Sequence, residues 1–107
     1  MNKIKFNNFE AEVDSYNKTT YLGGDTIMSN ANCSIRTSEI TTLNNLMLDI
    51  ITSIQIFSND ILIYDLQNIR AKIDNVTESF GGDRMYVNVN FSFLPPEEDE
   101  SQILDNE

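Results

Sequence analysis

The chain has 107 residues, 40% of them hydrophobic, with seven basic and seventeen acidic side chains, a net charge of −10 and no histidine. That length suits one domain with a single core, and the missing histidine removes the usual general base near neutral pH and the commonest metal ligand. Of the seventeen acidic groups six fall in EEDESQILDNE at 97–107, which leaves eleven against seven basic groups, a net of −4, over 1–96; a mildly acidic body lacks the basic footprint of a nucleic-acid binder.

In chain order, KIKF and FEAEV alternate apolar and charged residues on either side of Asn7-Asn8, which predicts a hairpin with a two-residue turn because Asn tolerates positive φ. Residues 15–25, rich in Ser, Asn, Thr and Gly, read as a loop. Over 27–35 alternation returns, with Ile27, Ser29, Ala31, Cys33 and Ile35 on one face and Met28, Asn30, Asn32 and Ser34 on the other. Cys33 is the single cysteine, so no internal disulfide is available, and its position reads as that of a small buried hydrophobe. Ile40, Leu43, Met47, Ile50, Ile51 and Ile54 form one helical stripe, predicting a crossover helix over about 38–53 with Ser38 as N-cap. SIQIF and ILIYDL flank a turn at Ser58-Asn59-Asp60, and a further strand is expected over 68–76. Residues 84–93 alternate most strictly, Met85, Val87, Val89, Phe91 and Phe93 against Tyr86, Asn88, Asn90 and Ser92, the mark of an antiparallel strand with one dry and one wet face. Pro95-Pro96 ends it.

Two segments of the chain resemble each other. YLGGDTIMSNANCSI at 21–35 aligns with SFGGDRMYVNVNFSF at 79–93, and FNNFEAEVDSY at 6–16 aligns with LQNIRAKIDNV at 66–76 after a two-residue change of phase. The expected fold is therefore α+β and mostly antiparallel β: two pseudo-repeated meanders (about 3–36 and 54–94) of about seven strands in all, joined by the helix, within a single domain over 1–96. Ile27 with Met85 and Ile35 with Phe93 are expected to occupy matching buried sites beneath Leu43, Met47 and Ile50. Residues 97–107 are expected to form a mobile acidic tail.

Chemistry is sparse. One cysteine without histidine cannot form a Cys–His nucleophile or a Cys/His zinc site, and no phosphate-binding glycine motif is present. The Gly-Gly-Asp triplets at 23–25 and 81–83 match the start of the GGDEF motif of cyclic-dinucleotide synthases, but Thr26-Ile27 and Arg84-Met85 follow them. One carboxylate per loop, Asp25 or Asp83, falls short of a calcium site, so both triplets read as tight turns. Asn-x-Ser/Thr triplets start at Asn17, Asn32, Asn75 and Asn90. The N-terminus does not fit a secretory signal, so these read as products of an Asn-rich composition, and the expected location is a host cytoplasm or a virion.

Neither an enzyme nor a cofactor is expected, nor a membrane, nucleic-acid or small-molecule partner. The expectation is a structural or assembly protein, such as a small bacteriophage virion or tail component acting through β-mediated subunit contacts; the order of elements looks loosely like that of phage tail-tube proteins. Fourteen Asn and thirteen Ile against three Ala point to an AT-rich genome. The candidate interaction surface is the polar ladder Asn30, Asn32, Ser34, Tyr86, Asn88, Asn90 and Ser92, whose plainer role is the wet side of a sheet. The alternative is an acidic inhibitor that binds a basic nucleic-acid-binding protein through Glu97, Glu98, Asp99 and Glu100, anchored by Ile103 and Leu104.

Overall fold

The computed structural model describes residues 1–94, with every side chain among them except that of Arg84. The acidic segment 97–107, and with it the candidate contact residues Glu97, Glu98, Asp99, Glu100, Ile103 and Leu104, lies outside the described residues. The elements are β1 (Asn2–Phe6), β2 (Phe9–Gly23), β3 (Thr26–Arg36), α1 (Ile40–Asn45), a single 3-10 turn (Leu46–Leu48), β4 (Ile51–Ser58), β5 (Ile61–Gly81) and β6 (Arg84–Phe93). The strands close into a barrel in the order β1-β2-β3-β6-β5-β4, every neighbouring pair antiparallel. Two three-stranded meanders, β1-β2-β3 and β4-β5-β6, thus meet along β3–β6 and along β1–β4.

The barrel is filled by the residues whose alternation marks the dry face. Ile4, Phe6, Phe9, Ala11 and Val13 come from the first hairpin, Ala31, Cys33 and Ile35 from β3, and Val87, Val89 and Phe91 from β6; all are buried. Phe6 stacks on Phe9 and meets the Phe91 ring edge-on at 5.1 Å. No polar or charged residue among those described is buried, so the core carries no unpaired polar group to offset its apolar burial. Burial pushes the Cys33 thiol up to about 12, against a smaller opposing effect of the Val89 backbone, which leaves it protonated and unreactive at neutral pH.

Four expectations are corrected. Among the described residues the strands number six, because 61–66 and 68–76 belong to the one long strand β5. Asn68 takes positive φ, at 58°, where the β4–β5 register slips between Ile51 and Ser53, a bulge that the strand runs through. Residues 15–23 are strand, not loop, paired with Thr26–Ser34 of β3. Their polar composition follows from exposure on both faces.

The helix is the third correction. It runs only from Ile40 to Asn45, with a 3-10 turn to Leu48, and chain from Ile51 onward is strand. Ile51 and Ile54 are buried in the barrel wall; their β-branched side chains suit a pleated strand better than a helix end. The N-cap is Glu39 without a side-chain cap, not Ser38, and the Glu39 amide donates to Thr37 Oγ1 at 3.0 Å. Of the predicted stripe only Leu43 is buried on the helix, Met47 is partly covered and Ile50 is exposed.

Fourth, Ile27 and Met85 are not buried; they are 72% and 53% exposed. Of the other matched pair, Ile35 is buried and Phe93 half-buried.

A side-chain staple, centred on the first turn, joins the short β1–β2 hairpin to the segment after the helix. Asn7, at φ 53°, accepts from the Thr52 amide at 2.9 Å and from its hydroxyl at 3.1 Å, and donates to the Ile50 carbonyl at 3.1 Å.

Candidate interaction surfaces

Two of the hairpins outrun the barrel. β2 pairs with β1 only as far as Glu12, yet runs on to Gly23. β3 pairs with β6 only from Asn30 to Ile35, so Thr26–Ser29 has β2 as its sole strand partner among the described residues. This is arm 1. Arm 2 is built likewise: β5 continues to Gly81 past Ala71, its last residue paired with β4 (to Ile51), and β6 begins three residues before Val87, its first residue paired with β3 (to Ile35). Because β3 and β6 are antiparallel, the arms leave opposite ends of the barrel, and the molecule measures 59 × 28 × 26 Å.

Both arms turn on a Gly-Gly-Asp triplet. Gly24 has φ 71° and Gly82 has φ 65°, each at the first central position of a two-residue turn, where glycine supplies the positive φ without a Cβ penalty. Each arm also starts at a bulge, between Val13 and Ser15 in β2 and between Ile73 and Asn75 in β5. Asp14 and Asp74 are the extra residues. Asp14 is held by the Arg36 guanidinium at 2.7 Å, and Asp74 accepts a hydrogen bond from the Ser92 hydroxyl. The second bulge lies two residues nearer its turn than the first, which accounts for the phase change in the sequence alignment.

The arms carry their apolar side chains in an informative place. Counting from the buried pairs, the core-facing side of arm 1 runs through Lys18, Thr20 and Ser29 to Leu22 opposite Ile27; that of arm 2 runs through Glu78 to Phe80 opposite Met85. These terminal pairs are in phase with the core but extend beyond it. Leu22, Ile27 and Phe80 are each 72% exposed. Tyr21 and Met28 pair on the outer side of arm 1 and are also exposed. A third exposed apolar patch, Ile61 and Ile63, lies at the start of β5.

The predicted polar ladder forms one surface. Asn30, Asn32 and Ser34 of β3 stand opposite Ser92, Asn90 and Asn88 of β6; Asn30 and Asn32 are exposed, and Ser34, Asn88, Asn90, Ser92 and Tyr86 half-buried. Over this stretch neither strand is an edge, so the ladder itself cannot be extended by another strand; the unpaired edges belong to β2 and β5.

Sequence reasoning missed the flanks of this surface. Asn17, Asn32, Asn90 and Asn75 form a single row across β2, β3, β6 and β5. The outer amides donate and accept within the row, Asn17 Nδ2 to Asn32 Oδ1 at 3.4 Å and Asn90 Nδ2 to Asn75 Oδ1 at 2.7 Å. These are the four asparagines of the Asn-x-Ser/Thr triplets. Each triplet sets an amide and a hydroxyl two residues apart on one face of a strand, so their recurrence was the available signal.

A cleft of about 250 Å³ opens beside the start of β1, where β2 continues past it, lined by Asn2, Val13, Asp14, Ser15, Tyr16, Ile56 and Tyr64. The Tyr16 and Tyr64 hydroxyls are 3.3 Å apart, and burial, then the Tyr64 hydrogen bond, raises the Tyr16 pKa. The cleft is below the roughly 300–1,000 Å³ of ordinary ligand pockets. Among the described residues no three His, Cys, Asp or Glu side chains cluster as metal ligands, and no helix is long and apolar enough to cross a membrane. Comparison of the chain with protein-family models, with curated proteins and with solved structures finds no match.

Proposed function

We propose that this protein is a non-enzymatic structural subunit that assembles through its β-hairpin arms, of the kind that builds bacteriophage virions or tails. One observation carries the reading: two strand pairs run past a closed barrel and end in apolar residues, Leu22 and Ile27, Phe80 and Met85, that remain exposed. Exposed apolar groups on extended hairpins disfavour a free monomer and favour protein contact. A closed barrel whose two arms lie at opposite ends suits a repeating assembly better than a binding pocket does. The Asn- and Ile-rich composition is the support for a viral setting.

We read the two meanders as copies of one three-stranded unit. Support comes from the shared Gly-Gly-Asp tips, from bulges at Asp14 and Asp74, and from the pairing of Asn32 with Asn90, residues that the sequence alignment makes equivalent. Duplication gives a subunit two similar attachment elements without a second domain.

Light scattering on a size-exclusion column over a concentration series tests the assembly reading. The expected mass exceeds the 12.2 kDa of the chain and rises with concentration. A strict monomer throughout, with none of the chain in virion preparations, contradicts it.

A further inference from the structure

We infer that the two arm tips are the two halves of one head-to-tail contact, in which arm 1 of one copy docks on arm 2 of the next. The inference rests on the assembly reading above and specifies its surface, partner and symmetry. The partner is a second copy of this chain.

Leu22 and Ile27 form a directly opposed cross-strand pair on the core-facing side of arm 1, and Phe80 and Met85 do the same on arm 2. Both pairs continue the apolar alternation of the barrel interior, yet no described residue covers them. Sheets pack face to face by interdigitating the side chains of their inner faces, and each tip offers the other a surface of the kind the barrel uses for its own core.

Charge selects the pairing. Lys18 lies on the core-facing side of arm 1, opposite Ala31, and Glu78 on the same side of arm 2, opposite Val87. A contact between two copies of arm 1 repeats the lysine, and one between two copies of arm 2 repeats the glutamate. Among the charges on the core-facing sides, where Lys18 lies over the Phe93 ring at 5.3 Å, only the mixed contact sets opposite signs together, which favours that register over the alternatives.

Area and direction complete the case. On the core-facing side of arm 1 Leu22 and Ile27, each 72% exposed, supply the apolar part of a contact smaller than the ~800 Å² per partner of a standard interface. The unpaired backbone edge of β2 beyond Glu12, alongside that of β5 beyond Ala71, supplies further area and main-chain hydrogen bonds. Because the arms leave opposite ends of the barrel, a mixed contact is heterologous: each copy has one arm of each kind to offer, and the assembly grows into a ring or a filament.

Two double variants test this, Leu22→Ser with Ile27→Ser on arm 1 and Phe80→Ser with Met85→Ser on arm 2, sized by light scattering beside the unaltered chain. Each variant alone is expected to lose self-association by at least about tenfold while keeping its thermal transition. Mixed in equal amounts they are expected to form a dimer and nothing larger, because one intact arm of each kind remains. Where a serine variant lacks a cooperative transition, Lys18→Glu and Glu78→Lys serve instead: each alone weakens assembly, and the two in one chain restore it. Variants that assemble like the unaltered chain overturn the inference while leaving self-association standing. A variant that dimerises alone overturns the head-to-tail symmetry. An unaltered chain that is monomeric at every concentration removes the assembly reading itself.

Discussion

Replacing Val89 by Asp is expected to abolish folding. Val89 is fully buried at the middle of β6, between Cys33 of β3 and Val76 of β5. A carboxylate there loses its water and gains no partner, and such burial costs several kcal/mol. The whole domain has only about 5–15 kcal/mol to lose. Circular dichroism and thermal melting should show no cooperative transition. Asn88→Asp, one residue away on the wet face, is the control and should stay within about 0.5 kcal/mol of the original. A Val89→Asp protein that melts like the original would mean that the inner and outer faces of β6 are assigned the wrong way round.

The second large effect is expected at Phe6. β1 is only five residues long, yet it closes the barrel by pairing with both β2 and β4. Phe6 is its larger anchor, fully buried beside Ile4 on the same face and in ring contact with Phe9 and Phe91. Phe6→Ala removes those contacts and leaves a cavity, for which about 3–5 kcal/mol is the usual cost. Urea unfolding should show a lower midpoint at an unchanged slope, the signature of lost stability without a change in the surface exposed. A loss below about 1 kcal/mol would mean that β1 is not the closing strand of a packed barrel.

Much of the barrel was legible in the chain because alternation is a direct record of a strand with one buried face. The periods around Ile4, Ala11, Cys33 and Val89 each mark the dry side correctly, and the Asn7-Asn8, Ser58-Asn59-Asp60 and Gly-Gly-Asp turns fall where turn chemistry places them. The helix misled because Ile50, Ile51 and Ile54 continue its stripe by spacing alone, while pairing with β5 takes Ile51 and Ile54 into a strand. The arms misled for the opposite reason. A hairpin wet on both faces has no alternation to read, so 15–23 looked like loop. At Ile27 and Met85 the period was right and the burial wrong, since period reports which face a residue occupies and not whether the molecule covers that face. Of the candidate interaction surface, the Asn30–Ser34 and Asn88–Ser92 ladders were visible. Their junction into one sheet depended on which strands pair, and that is set by barrel closure, a long-range property no local pattern carries.

The central claim is that the arms are contact surfaces between copies, and hydrogen exchange measured over a range of protein concentrations tests it most directly. Exchange in residues 17–29 and 77–86 should slow as concentration rises, because assembly covers the tips and pairs the unpaired strand edges, while exchange over Ala31–Ile35 and Val87–Phe91 inside the barrel stays constant. Arm exchange that is fast and independent of concentration, up to the highest at which the protein stays in solution, would contradict the account.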